Sequence, residues 1–213
     1  RPPMPDELKV QIPVIRDLVC AFGWSLIEHE GYEADDLIAS LADAFPENDV
    51  CIFSGDKDIS QIIDPRVIML VPNPAGDVAK RGVEEVREKF GVEPAQIADY
   101  LALVGDSADN IPGIEGVGPK TAAKWLKDFG DLESIIRRYD WLKPEKFRAV
   151  VRDSEGNLRR NLKLVTLDTS FDIPIPRAKR PDFDEIINFL EEMEMKKSLT
   201  ALRKFAKEQY QTD

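Results

Sequence analysis

One histidine and two cysteines in 213 residues leave little material for imidazole or thiolate chemistry. A Ser-His-Asp triad would have to be built on His29 alone, and a zinc site of the usual His/Cys kind has no ligand spacing to use. His29 follows Trp24 in a short apolar stretch and reads as a solvated or structural residue. Cys20 and Cys51 sit in apolar contexts, which predicts buried free thiols in a reducing cytosol. No apolar run approaches the ~20 residues of a membrane span, and the opening Arg-Pro-Pro does not read as a secretory signal.

Positive charge is also short. The formal net charge is -11, and nucleic-acid affinity rests largely on Lys and Arg neutralising phosphates. Two features offset this. Carboxylates gathered around divalent ions are neutralised in use, and basic residues are concentrated locally at Lys143, Lys146, Arg148, Arg152, Arg159, Arg160 and Lys163. That run reads equally well as a solvated helical face.

Apolar residues recur at helical spacing over residues 6–22, with Pro13 predicting a kink or restart and Gly23 a stop. Residues 24–30 and 67–71 read as strands. Residues 50–53 read as a strand buried on both faces of a parallel sheet. Helices are expected over 33–45, 83–90, 93–104, 121–129, 132–139, 183–195 and 199–210, with a polar helical stretch at 143–164 that breaks at Ser154–Asn157. Residues 165–175 read as a strand returning to the sheet, frayed by Asp172 and Pro174. This alternation predicts an α/β fold with a mainly parallel sheet flanked by helices, followed by a helical second half.

Three acidic motifs stand out. In GYEADD, Glu33, Asp35 and Asp36 open a helix. The dipole favours acids there, but three in four residues exceed what capping needs. In SGDKD, Asp56 and Asp58 follow the strand at 50–53, where ligands of open α/β sheets sit. On the residues alone, a turn with an Asp cap is the stronger reading of that pair. In GDSADN, Asp106 and Asp109 are spaced to share one face of a helical turn.

The third motif runs directly into IPGIEGVGPKTA. Gly116 and Gly118 permit a tight turn and close approach of a ligand, and Pro119 suits the first position of a helix. The N–H groups of such a turn favour an anion, with Lys120 as a point charge beside it. One stretch thus offers a hard-cation site and a phosphate site.

The whole stretch GDSADNIPGIEGVGPKTA, with GYEADD and GDKD upstream in order, resembles the bacterial 5′ nuclease family. That family comprises the 5′→3′ exonuclease domain of DNA polymerase I and its flap-endonuclease relatives. The resemblance covers essentially the whole chain. It implies a PIN-like nuclease core ending near residue 94, with the trailing end of a helical arch at RPPMPDELKVQI. Residues 95–213 would then hold a helix-hairpin-helix region, the return strand and the terminal helices. It implies two Mg²⁺ or Mn²⁺ ions among Glu33, Asp35, Asp36, Asp56, Asp58, Asp106 and Asp109. Asp36, Asp56, Asp58, Asp106 and Asp109 are the favoured direct ligands, and oxygen-only donors suit such hard ions. It further implies a grip on duplex DNA through Ile114, Gly116, Val117, Gly118, Lys120 and Thr121, with K⁺ as a candidate ion on the hairpin carbonyls.

The expected activity is metal-dependent 5′→3′ hydrolysis of DNA at 5′ ends or flaps in cytoplasmic replication and repair, with a polymerase domain as a candidate neighbour. The alternative is a module that binds duplex DNA without cutting it. The family pattern also places a first strand and further carboxylates upstream of Arg1. The chain therefore reads as lacking that segment, with little nuclease activity alone and an open sheet edge at residues 50–53. Mutual repulsion among the acids predicts that Asp106→Asn is neutral or stabilising without metal.

Overall fold

A computed structural model describes residues 3–177 and 179–210. In chain order the elements are α1 (Asp6–Lys9), α2 (Gln11–Ala21), α3 (Ala34–Ala44), β1 (Val50–Phe53), β2 (Val67–Pro72), β3 (Val78–Arg81), α4 (Val83–Phe90) and α5 (Ile97–Val104). The two-residue strands β4 (Gly105–Asp106) and β5 (Ile111–Pro112) follow. Then come α6 (Pro119–Phe129), α7 (Leu132–Arg137), α8 (Phe147–Asp153), α9 (Glu155–Val165), α10 (Phe183–Glu192) and α11 (Lys196–Tyr210). The chain divides into two compact units, one drawn from Arg1–Glu30 with Pro174–Asp213, the other from Gly31–Ile173.

In the first unit Pro13 falls in the opening turn of α2, where a missing N–H costs little. The helical run accordingly restarts after Val10. Ala21, Ile186, Leu190 and Leu202 form its small core. The strand expected at residues 24–30 is not there. Trp24 and Leu26 are exposed, and this stretch meets isolated bonds, such as Lys179 N–H to Gly23 O and Ser25 Oγ to Arg177 O, instead of a ladder. Cys20 is exposed, against expectation, because α2 turns Ala21 inward and leaves its neighbour outside.

The second unit is built on a sheet of order β1-β2-β3 with helices packed against it. β1 runs parallel to β2, with Val50 opposite Val67. β3, for which the sequence showed no clear pattern, pairs antiparallel to β2, with Met69 opposite Arg81. The turn at Asn73–Gly76, tied by Asn73 Oδ1 accepting from Ala75 and Asp77 N–H, returns the chain for that pairing. β1 is an edge strand and is buried on one face only. Ile52 is inside, while Cys51 and Phe53 are exposed, Phe53 at 65%. Strand alternation explains the Cys51 misreading: its thiol points away from the face that buries its neighbour Ile52.

The returning strand expected at 165–175 is also missing. Val165 ends α9, and the following segment is held by side chains. Gln61 Nε2 donates to Val165 O at 2.7 Å, and Asp168 N–H donates to Asp36 Oδ1 at 2.8 Å. Pro174 and Pro176 lack the N–H groups that a ladder needs.

Candidate metal centre and phosphate-binding hairpin

Sequence spacing places the acids in three motifs, and local geometry decides how they meet. β1 ends at Phe53, and Asp56 lies in a turn where its Oδ1 accepts from Asp58 N–H at 3.0 Å. Asp58 then starts a 3₁₀ turn over Asp58–Ile62. The pair is therefore joined by a turn and not by strand alternation. Asp106 and Asp109 also meet differently from expectation. Residues 107–110 form a hairpin turn between β4 and β5, so the two acids face each other without a helical turn.

Asp58, Asp106 and Asp109 each place a carboxylate oxygen within 4.8 Å of the others. Asp106 is buried, and its Oδ1 accepts from Ala108 N–H at 2.9 Å. Its Oδ2 accepts from Lys57 Nζ at 2.6 Å. Asp58 Oδ1 is buried with no hydrogen-bond partner, a costly state for an acceptor unless a cation or proton meets it. An orphaned oxygen within an all-carboxylate donor set fits a hard divalent ion.

The acids at the start of α3 divide. Asp35 is half-buried, and its carboxyl is pushed up first by burial, then by Asp56, Glu33, Asp36 and Asp109. Asp35 therefore shares the field of the other two motifs. Asp36 has both oxygens engaged, Oδ2 by Glu33 N–H at 3.1 Å and Oδ1 by Asp168 N–H at 2.8 Å. Glu33 caps the same helix and is exposed.

Asp58 is pushed up to about 6, first by burial and then by Asp56 and Asp106, with Lys57 opposing. Its folded value lies above the unfolded one, so this group favours the folded state below about pH 4 and loses that contribution as pH rises through about 6. Asp58→Asn is expected to raise the metal-free melting temperature at pH 7, with the gain shrinking toward pH 4. Melts in EDTA across that range check it, and an unchanged melt at pH 7 would show that Asp58 carries no such strain. Asp106 moves the other way. Burial raises it, but the Lys57 hydrogen bond, the Ala108 N–H and the Lys57 charge outweigh this and hold it below the usual carboxylate range. Asp106→Asn therefore loses a matched partner, and the relief once expected there belongs to Asp58.

At the hairpin, Gly116 adopts φ 77°, the left-handed region that suits glycine. Gly118 is extended, and a Cβ built on it meets nothing within 4 Å. Ile114 and Val117 are buried, with N–H groups bonded to Leu103 O and Ile114 O, which leaves them only carbonyls to present. Among the described residues, no backbone acceptor meets the N–H groups of Gly116, Gly118 and Lys120. Lys120 and Thr121, with Lys124, Lys143 and Pro144, line a cavity of about 330 Å³. Trp125 Nε1 donates to Lys143 O at 2.9 Å and fixes that loop against α6. Further along the basic run, Arg148, Arg152 and Arg159 are paired with Glu145, Asp153 and Glu133, as a solvated face would be.

Two family models cover this architecture. Residues 1–91 match the 5′-3′ exonuclease N-terminal resolvase-like domain, and residues 92–185 match the 5′-3′ exonuclease C-terminal SAM fold. The chain belongs to the 5′-3′ exonuclease family. It is 46% identical to a 5′-3′ exonuclease of Aquifex aeolicus over 96% of this chain and 70% of that protein. It is 37% identical to DNA polymerase I of Caldicellulosiruptor bescii over 95% of this chain, which spans 25% of the polymerase. Among solved structures, the T5 D15 protein co-crystallised with metal ions shares the exonuclease fold, with a TM-score of 0.67 at 22% identity. That match covers 97% of this chain and 74% of the other. The catalytic core of Rad2 in complex with a DNA substrate follows at 0.59 and 19%, over 89% and 66%. Among the described residues of this exonuclease-family chain, no helix is long and apolar enough to cross a membrane.

Lys57 and the backbone of Asp168 were not singled out from the sequence. Lys57 stood in view between Asp56 and Asp58, but strand alternation would have turned it away from both. The turn turns it in.

Proposed function

We propose that this chain is a divalent-metal-dependent 5′ nuclease acting on duplex DNA with a 5′ end or flap, in cytoplasmic replication and repair. The observation that carries it is the acid triad with its orphaned Asp58 oxygen, two of whose members, Asp106 and Asp109, sit just upstream of the hairpin in sequence. Asp58, Asp106 and Asp109 would hold one ion, with Asp35, Asp56 and the acids Glu33 and Asp36 around a second. Mg²⁺ or Mn²⁺ suits this donor set. When bound, such ions supply an activated water and charge neutralisation at the phosphorus.

The hairpin binds and orients. The N–H groups of Gly116, Gly118 and Lys120 are available to phosphate oxygens, with the Lys120, Lys124 and Lys143 ammonium groups and the Thr121 hydroxyl beside them. The carbonyls of Ile114 and Val117 are candidates for K⁺. The functional boundary is placed near residue 94, between the nuclease core and the hairpin half. A polymerase domain on the same polypeptide is the arrangement to which the DNA polymerase I relatives point.

The test is cleavage of a 5′-labelled flap duplex with Mn²⁺ and with EDTA. Metal-dependent release of the labelled strand supports this reading, and it would overturn the sequence-based expectation of little activity from the chain alone. Salt-sensitive duplex binding without cleavage would replace this reading with that of a binding module. Gly118→Val should fold normally, because its side chain enters open space, yet weaken duplex binding about tenfold or more with little sequence dependence. Unchanged binding by the folded variant would move the contact elsewhere.

A further inference from the structure

We propose that Lys57 is a built-in counter-ion of the metal site, a positioning residue whose ammonium holds the Asp106 carboxylate before metal arrives and is displaced when a divalent ion binds. This rests on reading the acid cluster as a metal centre.

The geometry makes the two cations rivals. Asp106 Oδ1 accepts from Ala108 N–H, and Oδ2 is the oxygen a cation already occupies, with Lys57 Nζ 2.6 Å from it. A divalent ion bound to Oδ2 at about 2.0–2.6 Å would lie within roughly 5 Å of that ammonium. Like charges at that separation repel. The partners differ in freedom. The Asp106 side chain is 2% exposed and fixed by the β4–β5 hairpin, whereas that of Lys57 is 36% exposed on a flexible stem. The ammonium can swing into water at little cost, and the carboxylate cannot follow.

The arrangement has a use. Asp58, Asp106 and Asp109 each place a carboxylate oxygen within 4.8 Å of the others, so like charges crowd the site when no cation is there. Lys57 lies in the same turn as Asp58. It holds the Asp106 side chain in place without metal, so binding exchanges one cation for another instead of assembling the site anew. An ordinary structural ion pair would stabilise the fold but would not set metal affinity.

The experiment titrates Mn²⁺ into the protein and follows the free-ion signal by electron paramagnetic resonance. Two variants separate charge from hydrogen bonding. Lys57→Gln keeps a donor but removes the charge, and it should bind Mn²⁺ about tenfold more tightly than the parent. Lys57→Arg keeps the charge and should bind within about threefold of the parent. Thermal melts supply a second readout. Lys57→Gln should melt below the parent in EDTA, and the deficit should vanish or reverse at saturating Mn²⁺. Equal Mn²⁺ affinity for the parent and Lys57→Gln, with binding seen in both, overturns the counter-ion role and leaves the metal centre standing. No Mn²⁺ binding by any of the three proteins removes the metal centre and the proposal together.

Discussion

Gly113→Ala is expected to destabilise the Gly31–Ile173 unit by more than about 4 kcal/mol, at the exceptional end of single substitutions. A Cβ at Gly113 would lie 2.1 Å from Val104 O, 2.2 Å from Val104 C and 2.6 Å from Gly105 N. All three are backbone atoms, so no side chain can step aside. Gly105 faces the same constraint from the other strand, at φ 83° with its own Cβ position 2.3 Å from Gly113 N. Relief by moving the hairpin is blocked. Asn161 is buried and donates Nδ2 to Pro112 O at 2.7 Å and to Ala102 O at 3.3 Å, so α9 clamps β5 against α5. The damage reaches the site because Asp106 is half of β4. Urea denaturation of the parent, Gly113→Ala and Gly118→Ala measures this. Gly118→Ala serves as the control, since its Cβ meets open space and should cost under about 1 kcal/mol. A loss at Gly113 no larger than at Gly118 would mean that the two backbones do not approach this closely.

Asp106→Ala should lower flap cleavage by about a thousandfold or more while leaving duplex binding at the hairpin within a few-fold. Even about 1 Å of misplacement of a reacting group can cost around a hundredfold, and this substitution removes a carboxylate from a set of three within 4.8 Å. The same variant should lose about 1–3 kcal/mol of metal-free stability. Breaking a fully buried pair costs about 3–5 kcal/mol. The figure here is smaller because Lys57 is 36% exposed and can return to water. Parallel assays of cleavage, fluorescence-detected duplex binding and denaturation in EDTA separate the three effects. Cleavage within tenfold of the parent would place the reacting metal elsewhere.

Much of the hairpin was readable in the chain. Glycine, proline and lysine at fixed offsets carry their conformational meaning locally, so Pro119 could be placed at the start of α6 and Gly116 in a tight turn before any fold was known. The acidic motifs were equally visible as residues. Their mutual geometry was not. Asp106 and Asp109 three positions apart suit a helical turn as well as a hairpin, and the choice fell to Gly105 and Gly113, whose backbones pass too closely for side chains. The strands at residues 24–30 and 165–175 failed for a related reason. Their apolar composition fits a strand, but a strand also needs a partner with free N–H and C=O groups, and that partner is a non-local fact.

The sequence by itself determined which side chains are on offer: three clusters of carboxylates, one imidazole, two thiols, and glycine and proline at positions suited to a tight turn. These depend on side-chain identity and on conformational limits spanning a few residues. Only the tertiary structure decided which acids share a site and which charge each one feels. Asp36 is engaged by two backbone N–H groups, one from 132 positions away. Asp58 is left with a buried oxygen and pushed up to about 6, while Asp106 is held down by Lys57. The same side chain takes opposite shifts because burial and partner distance are set by packing, and Coulomb energy depends on separation in space and on the local dielectric, neither of which spacing along a chain encodes.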